Sequence, residues 1–279
     1  MNTDYFFTQG RSHSLCQDYA IAGKKKGVRY AILSDGCSGK SVPEQPGSPW
    51  TDIGARLMVR AASHWVKSLV STHPGLTADH IGYQIVRQAS HISYVMDLPD
   101  TCLDATLLVA MCDGESENPI ARVVQYGDGL VAARRRTGEI ACWSIEYSKG
   151  MPYYLSYQLD KRSKANFVRQ EQEVTTAYNG DQMTVLTGMA AMKICHPYEF
   201  DPKEFDLVLV MSDGIESFSD RQGRRVPVMD VLREIFAFKS YAGDFVQRRC
   251  RRIVDKCAAL GWLYADDWSV AGIYLDEPK

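Results

Sequence analysis

YAILSDGCSG, residues 30–39, is an apolar run that stops abruptly at Ser34-Asp35-Gly36. LVLVMSDGIES, residues 207–217, does the same at Ser212-Asp213-Gly214. Each run has the length and composition of a strand buried on both faces. Asp-Gly commonly closes a hairpin, but a carboxylate held at the end of a rigid strand also suits a hard cation. After Asp35-Gly36 comes the Pro/Gly loop CSGKSVPEQPGSPW, residues 37–50, so no second strand returns at once. Asp213 likewise leads into polar residues and then helical patterns. Glycine after each acid is read as letting the backbone turn sharply.

Outward from these two runs, Thr51-Asp52 reads as a helix start followed by apolar residues at helical spacing to Val70. A second helix is expected over 77–96, capped by Thr77. From residue 104 the pattern becomes short apolar runs, ATLLVAMC, ARVVQYG, LVAARR and EIACWSI, which read as an antiparallel meander. Within it, Asp113-Gly114 and Asp128-Gly129 both read first as hairpin turns. Residues 146–200 carry only weak periodicity. Helices are expected over 228–238 and 243–261, and the chain closes with the strand WSVAGIYL, 268–275. Strands, helices, strands, helices, strand is not βαβ alternation. It predicts an α+β fold of stacked antiparallel sheets with helices packed outside.

Composition narrows the function. Of 279 residues, 45% are hydrophobic and 24% charged, with a net charge of −2, which leaves no electrostatic footprint for nucleic acid. Arg134-Arg135-Arg136 and the group Arg248, Arg249, Arg251 and Arg252 read as solvated faces. No stretch has the roughly 18 apolar residues of a membrane span, and MNTDYFFTQG lacks the signal-peptide pattern, so a cytoplasmic protein is expected. No linker or repeat divides residues 1–279, so one domain is expected. Eight cysteines without a C-x-x-C pair and six histidines without paired spacing make a zinc site improbable. A bound metal would have oxygen ligands.

Acids stand at four strand ends: Asp35, Asp128, Asp213 and the pair Asp266-Asp267 before the last strand. Converging carboxylates repel one another and raise their own pKa values, a conflict that Mg²⁺ or Mn²⁺ removes. Their order along the chain carries further information. Gln17-Asp18, Asp35-Gly36 with Ser38-Gly39, Asp104-Ala105-Thr106, Gly127-Asp128-Gly129, Ser212-Asp213-Gly214 and Asp266-Asp267-Trp268-Ser269-Val270 together resemble the ordered motifs of the metal-dependent type 2C Ser/Thr protein phosphatases, the PPM family, in a divergent bacterial branch. The blocks span residues 17–270. No single block is specific; six in order are.

The resemblance implies a four-layer α-β-β-α sandwich of two antiparallel sheets flanked by helices, with a flap-like variable segment at about 146–200. It implies two Mn²⁺ or Mg²⁺ ions and a more weakly held third. Asp35, the Gly36 carbonyl, Asp213 and Asp266 would be metal ligands, and Asp128 would serve the third ion. Gln17, Asp18 and Asp267 would act through bound water or behind the ligands. The implied chemistry is hydrolysis of phosphoserine and phosphothreonine by metal-activated water, with a phosphorylated protein as substrate and a cognate Ser/Thr kinase as partner. Two alternatives stay open: a degenerate binding module for a phosphorylated partner, and a small-molecule phosphomonoesterase.

The sequence departs from the family at several places. His13 stands where a basic phosphate-binding residue is expected, with Arg11 two residues before it; either would grip phosphate, His13 only when protonated. Cys37 replaces a histidine common in eukaryotic relatives. Ala105, Ser217 and Asp267 replace a small hydroxyl residue, an acid and an asparagine. The aromatic stretch Met151–Tyr157 is read either as buried packing or as a partner surface.

Overall fold

The structure is a computed structural model that describes residues 1–37, 50–70, 77–148, 150, 152–169, 171–192 and 195–275. The Ser38-Gly39 motif, most of the loop at 37–50 and Met151 lie outside the described residues.

Among these, the strands β1 (Asn2–Thr8), β2 (Asp18–Lys25) and β3 (Val28–Asp35) precede the helices α1 (Thr51–Val70) and α2 (Ala78–Val95). Four strands follow: β4 (Leu107–Asp113), β5 (Ala121–Tyr126), β6 (Gly129–Arg135) and β7 (Ile140–Tyr147). The variable segment holds α3 (Lys161–Arg169), β8 (Val174–Tyr178), β9 (Asp181–Leu186) and β10 (His196–Phe200). The chain ends with β11 (Phe205–Met211), the short β12 (Phe218–Ser219), α4 (Val228–Phe236), α5 (Phe245–Leu260), the short β13 (Leu263–Tyr264) and β14 (Trp268–Tyr274). One sheet has the order β1-β14-β11-β6-β7-β8-β9 and the other β10-β5-β4-β3-β2, with antiparallel pairing throughout.

The layering follows from side-chain alternation. On β3, Ile32 packs under α1 and α2 while Ala31 and Leu33 face the opposite sheet. On β4, Val109 and Met111 face the helices while Leu108 and Ala110 face inward. On β11, Leu207, Leu209 and Met211 meet α4 and α5, and Val208 and Val210 turn to the sheet–sheet core. Strands covered on both faces need apolar residues at every position, which is why both runs read as continuously apolar. The result is the expected α-β-β-α sandwich. Thr77 caps α2 as expected, its Oγ1 accepting from His80 N at 3.2 Å. No described helix is long and apolar enough to cross a membrane.

Two features differ from the sequence expectation. β1 and β2 are strands that the pattern did not announce. β1 carries Asn2, Asp4 and Thr8 and is fixed by pairing with β14 from the far end of the chain. The run from residue 104 is not one meander: β4–β5 belongs to one sheet and β6–β7 to the other. The chain crosses between the sheets at Gly127-Asp128-Gly129, so Asp128-Gly129 does not close a hairpin. Gly127 and Gly129 supply the positive φ values, 88° and 117°, that this crossing needs. Of the two readings of the aromatic stretch, buried packing is the one observed: Tyr153, Tyr154 and Tyr157 are 1%, 5% and 7% exposed and pack with Tyr147 and Phe167 in a small core.

Candidate active site

Both sheets deliver acids to one end of the sandwich. Asp35 ends β3, and Asp18 begins β2 directly opposite it in the ladder. Asp213 follows β11 in a short 3₁₀ turn, Asp213–Ser217. Asp128 sits at the crossing from β5 to β6, and Asp266 just precedes β14. A cavity of about 170 Å³ is lined by Asp35, Gly36, Cys37, Thr106, Asp128, Gly150, Pro152, Tyr154, Asp213 and Asp266. Asp35, Gly36, Asp128, Asp213 and Asp266 were thus singled out from sequence and are brought together from four separate segments. No arginine or lysine is among the described residues lining it.

The serines of the two Ser-Asp-Gly motifs fasten these ends. Ser34 Oγ donates to the Thr106 carbonyl on the neighbouring segment. Ser212 Oγ donates to Asp18 Oδ2 at 2.7 Å and accepts from Ser269 N at 2.9 Å, which ties the two sheets together behind the cavity. The glycines act by close approach, not by turning, since neither has a positive φ. A Cβ on Gly36 would lie 2.5 Å from the Thr51 carbonyl oxygen at the start of α1. On Gly214 it would lie 1.7 Å from the Asp267 carbonyl oxygen. Each motif therefore docks a strand end against a second backbone segment.

Asp18 is pushed up to about 7, chiefly by burial, with Asp213 adding to it against the pull of the Ser212 hydroxyl. Burial, then the charges of Asp18 and Asp213, hold Asp35 well above the usual carboxylate range. Asp128 is raised by burial and by Asp213. Asp266 is raised by burial and Asp213, with His13 opposing. Asp18 Oδ1 and Asp213 Oδ1 are buried and receive no hydrogen bond. Among the described residues, no three His, Cys, Asp or Glu side chains are already drawn around one point closely enough to hold an ion. The donor chemistry nonetheless fits a hard cation: oxygen-only groups, mutually repelling, two with orphaned oxygens, and no cation beside them in the lining.

The remaining singled-out residues surround this pocket. Asp267 is 1% exposed and accepts from Gly10 N (2.7 Å) and Gln17 N (2.6 Å), so it anchors the 9–17 segment. Gln17 donates from Nε2 to Thr51 Oγ1 at 2.7 Å, joining that segment to α1. His13 Nδ1 lies 3.0 Å from Asp267 and 3.4 Å from Asp266, outside the lining. Burial disfavours its charged form, but the bond to Asp267 and the nearby acids outweigh this and raise its pKa. Arg11 is exposed and is not among the residues that line the cavity. Ser217 Oγ donates to the Gly214 carbonyl and accepts from Asp266 N, bracing one acid against the turn of another.

Tyr154 was not singled out as a site residue. Its only sequence signal was membership of an aromatic-rich stretch beside a glycine and a proline. Thr106, also in the lining, carries Asp35 N on its Oγ1 at 3.2 Å.

A comparison with family models matches residues 9–248 to Protein phosphatase 2C. No curated protein matches the chain significantly. Among solved structures, a bacterial serine phosphatase aligns with a TM-score of 0.54 at 10% identity, covering 100% of this chain and 99% of that one. PppA, described as a key regulatory component of T6SS in Pseudomonas aeruginosa, aligns with 0.53 at 13% identity over 97% and 95% of the two chains. Serine/threonine phosphatase Stp1 from Staphylococcus aureus gives 0.51 at 10% identity over 99% and 96%. At these identities the likeness establishes the shared fold.

Proposed function

The chain belongs to the protein phosphatase 2C family, and on that footing we propose that it hydrolyses phosphoserine and phosphothreonine in proteins with the help of two Mn²⁺ or Mg²⁺ ions. The observation that supports this most is the set of Asp35, Asp128, Asp213 and Asp266, gathered from both sheets around one cavity whose described lining contains no basic side chain. Such a set resists ionisation without a cation and suits one with oxygen preference. Asp35 with the Gly36 carbonyl, Asp213 and Asp266 would hold the two ions, and Asp128 a third.

When bound, these ions would supply the positive charge that receives phosphoryl oxygens and would acidify the attacking water. The protein's own groups supply position. Asp35 is fixed by Thr106 on one side, and Asp213 by a turn packed on the Asp266-Asp267 loop. Asp18 and Ser212 hold the two sheets in register behind them. His13, kept beside Asp266 and Asp267, is the basic group adjoining the pocket and would meet a substrate phosphate before Arg11 does. The partners would be a phosphorylated protein and the Ser/Thr kinase that modifies it. Chain 1–279 would act as one catalytic domain, with 146–200 as the variable flap.

The lack of an arginine in the described lining supports one rival, a module that binds a phosphorylated partner without turnover. Phosphate release from a phosphothreonine peptide separates the two. Turnover with Mn²⁺ that EDTA and Asp35→Asn both abolish supports the enzyme. Mn²⁺ binding without turnover supports the module.

A further inference from the structure

Hydrolysis of a serine or threonine phosphate must expel an alkoxide, a poor leaving group unless a proton reaches it as the P–O bond breaks. In the reading above, Asp35, Asp128, Asp213 and Asp266 are engaged with cations. Gly36, Gly150 and Pro152 carry no side-chain proton. Among the described lining residues this leaves Cys37, Thr106 and Tyr154. A thiol is a weak hydrogen-bond donor, and Cys37 packs against the aromatic cluster of Tyr153, Tyr154 and Tyr157. The threonine hydroxyl is about as weak an acid as the alcohol being expelled. The phenol is the stronger acid and the better donor of the two hydroxyls.

We propose that the Tyr154 hydroxyl is a catalytic residue that donates its proton to the leaving serine or threonine oxygen. This rests on the hydrolase function proposed above. Tyr154 lines the same cavity as Asp35 and Asp128, and its side chain shares a hydrogen bond with that of Cys37 on the same wall.

The ring is also preorganised. It packs edge-on against Tyr157 at 5.5 Å between centroids. The 3₁₀ turn that follows it, Leu155–Gln158, is pinned where Ser156 Oγ donates to Asp104 Oδ1 at 2.6 Å. Asp104 in turn accepts from Cys37 N through its carbonyl at 2.8 Å. The donor is thus locked to the same strand ends that carry Asp35.

The water oxygen bonds to phosphorus while the P–O bond to the side chain breaks. The leaving oxygen keeps that electron pair and takes the phenolic proton. The phenolate regains a proton from solvent, which has received the one lost by the attacking water. The products are the free hydroxyl side chain and inorganic phosphate.

The test is Tyr154→Phe assayed with Mn²⁺ on two substrates: a phosphothreonine peptide, and p-nitrophenyl phosphate, whose nitrophenolate leaves without a proton. The expected result is a fall of about 10²-fold in kcat on the peptide, the scale of general-acid catalysis, with little change on p-nitrophenyl phosphate. Binding of a non-hydrolysable phosphonate peptide, followed by calorimetry, should be unaltered. Equal losses on both substrates, or no loss on either, would overturn the assignment. So would a loss confined to the peptide in Cys37→Ala but not in Tyr154→Phe. Wild-type protein inactive on both substrates would instead remove the hydrolase function, and this role with it.

Discussion

Asp18 gives the acid centre a measurable energetic signature. Its carboxyl is buried, one oxygen accepts from Ser212, the other receives no bond, and its pKa stands at about 7. An unfolded aspartate titrates near 3.9. Between those values the folded chain holds a proton that the unfolded chain has released, so stability is fully present below about pH 4 and is lost as pH rises to about 7. The difference of about 3 pH units corresponds to roughly 4 kcal/mol, of which about 2 kcal/mol falls between pH 5 and pH 7. Asp35 and Asp128 are raised in the same direction and steepen the decline. The assay is urea denaturation of EDTA-treated protein at pH 5 and pH 7.5, repeated with Mn²⁺. The EDTA series should lose several kcal/mol across that interval, and Mn²⁺ should restore most of it at pH 7.5 by binding the folded state. Asp18→Asn should flatten the profile and be the more stable protein at pH 7.5 in EDTA. Stability that stays level or rises from pH 5 to 7.5 in EDTA, or an Asn variant weaker at pH 7.5, would refute the reasoning.

Gly214→Ala should cost about 1–3 kcal/mol, the range for overpacking a tight site, because its Cβ meets the Asp267 carbonyl at 1.7 Å. Urea midpoints would show this, and Gly36→Ala should behave alike, since its Cβ presses on the Thr51 backbone. Asp267→Asn removes the carboxylate that Gly10 N and Gln17 N share and that charges His13. The His13 pKa, followed by NMR, should fall, and stability should drop by about 1–3 kcal/mol, the cost of weakening buried bonds to a charged group.

Much of this centre was legible because its chemistry is local. Asp35 and Asp213 announce themselves as acids that end apolar strands, and the strands are apolar throughout because both faces are covered. What pairing decides was harder to read. β1 owes its conformation to β14, some 266 residues away, and its own alternation is weak. The crossing at Gly127-Asp128-Gly129 has the letters of a hairpin, yet β5 and β6 lie in different sheets, a fact that no local pattern encodes. The role of the glycines in the Ser-Asp-Gly motifs was hidden for the same reason, since the backbones they approach are distant in sequence. Asp267 reads as one more acid, but the amides of Gly10 and Gln17 claim it. Tyr154 reads as one tyrosine among several, and only its position at the cavity wall separates it from Tyr153 and Tyr157.

The most direct test of a shared cation centre is the number of Mn²⁺ ions bound per chain, measured by calorimetric titration of the wild type and of Asp213→Asn. Two ions in the wild type, with loss of at least one in the variant, is the predicted result. No Mn²⁺ binding by the wild type, or the same number and affinity in both proteins, would contradict it.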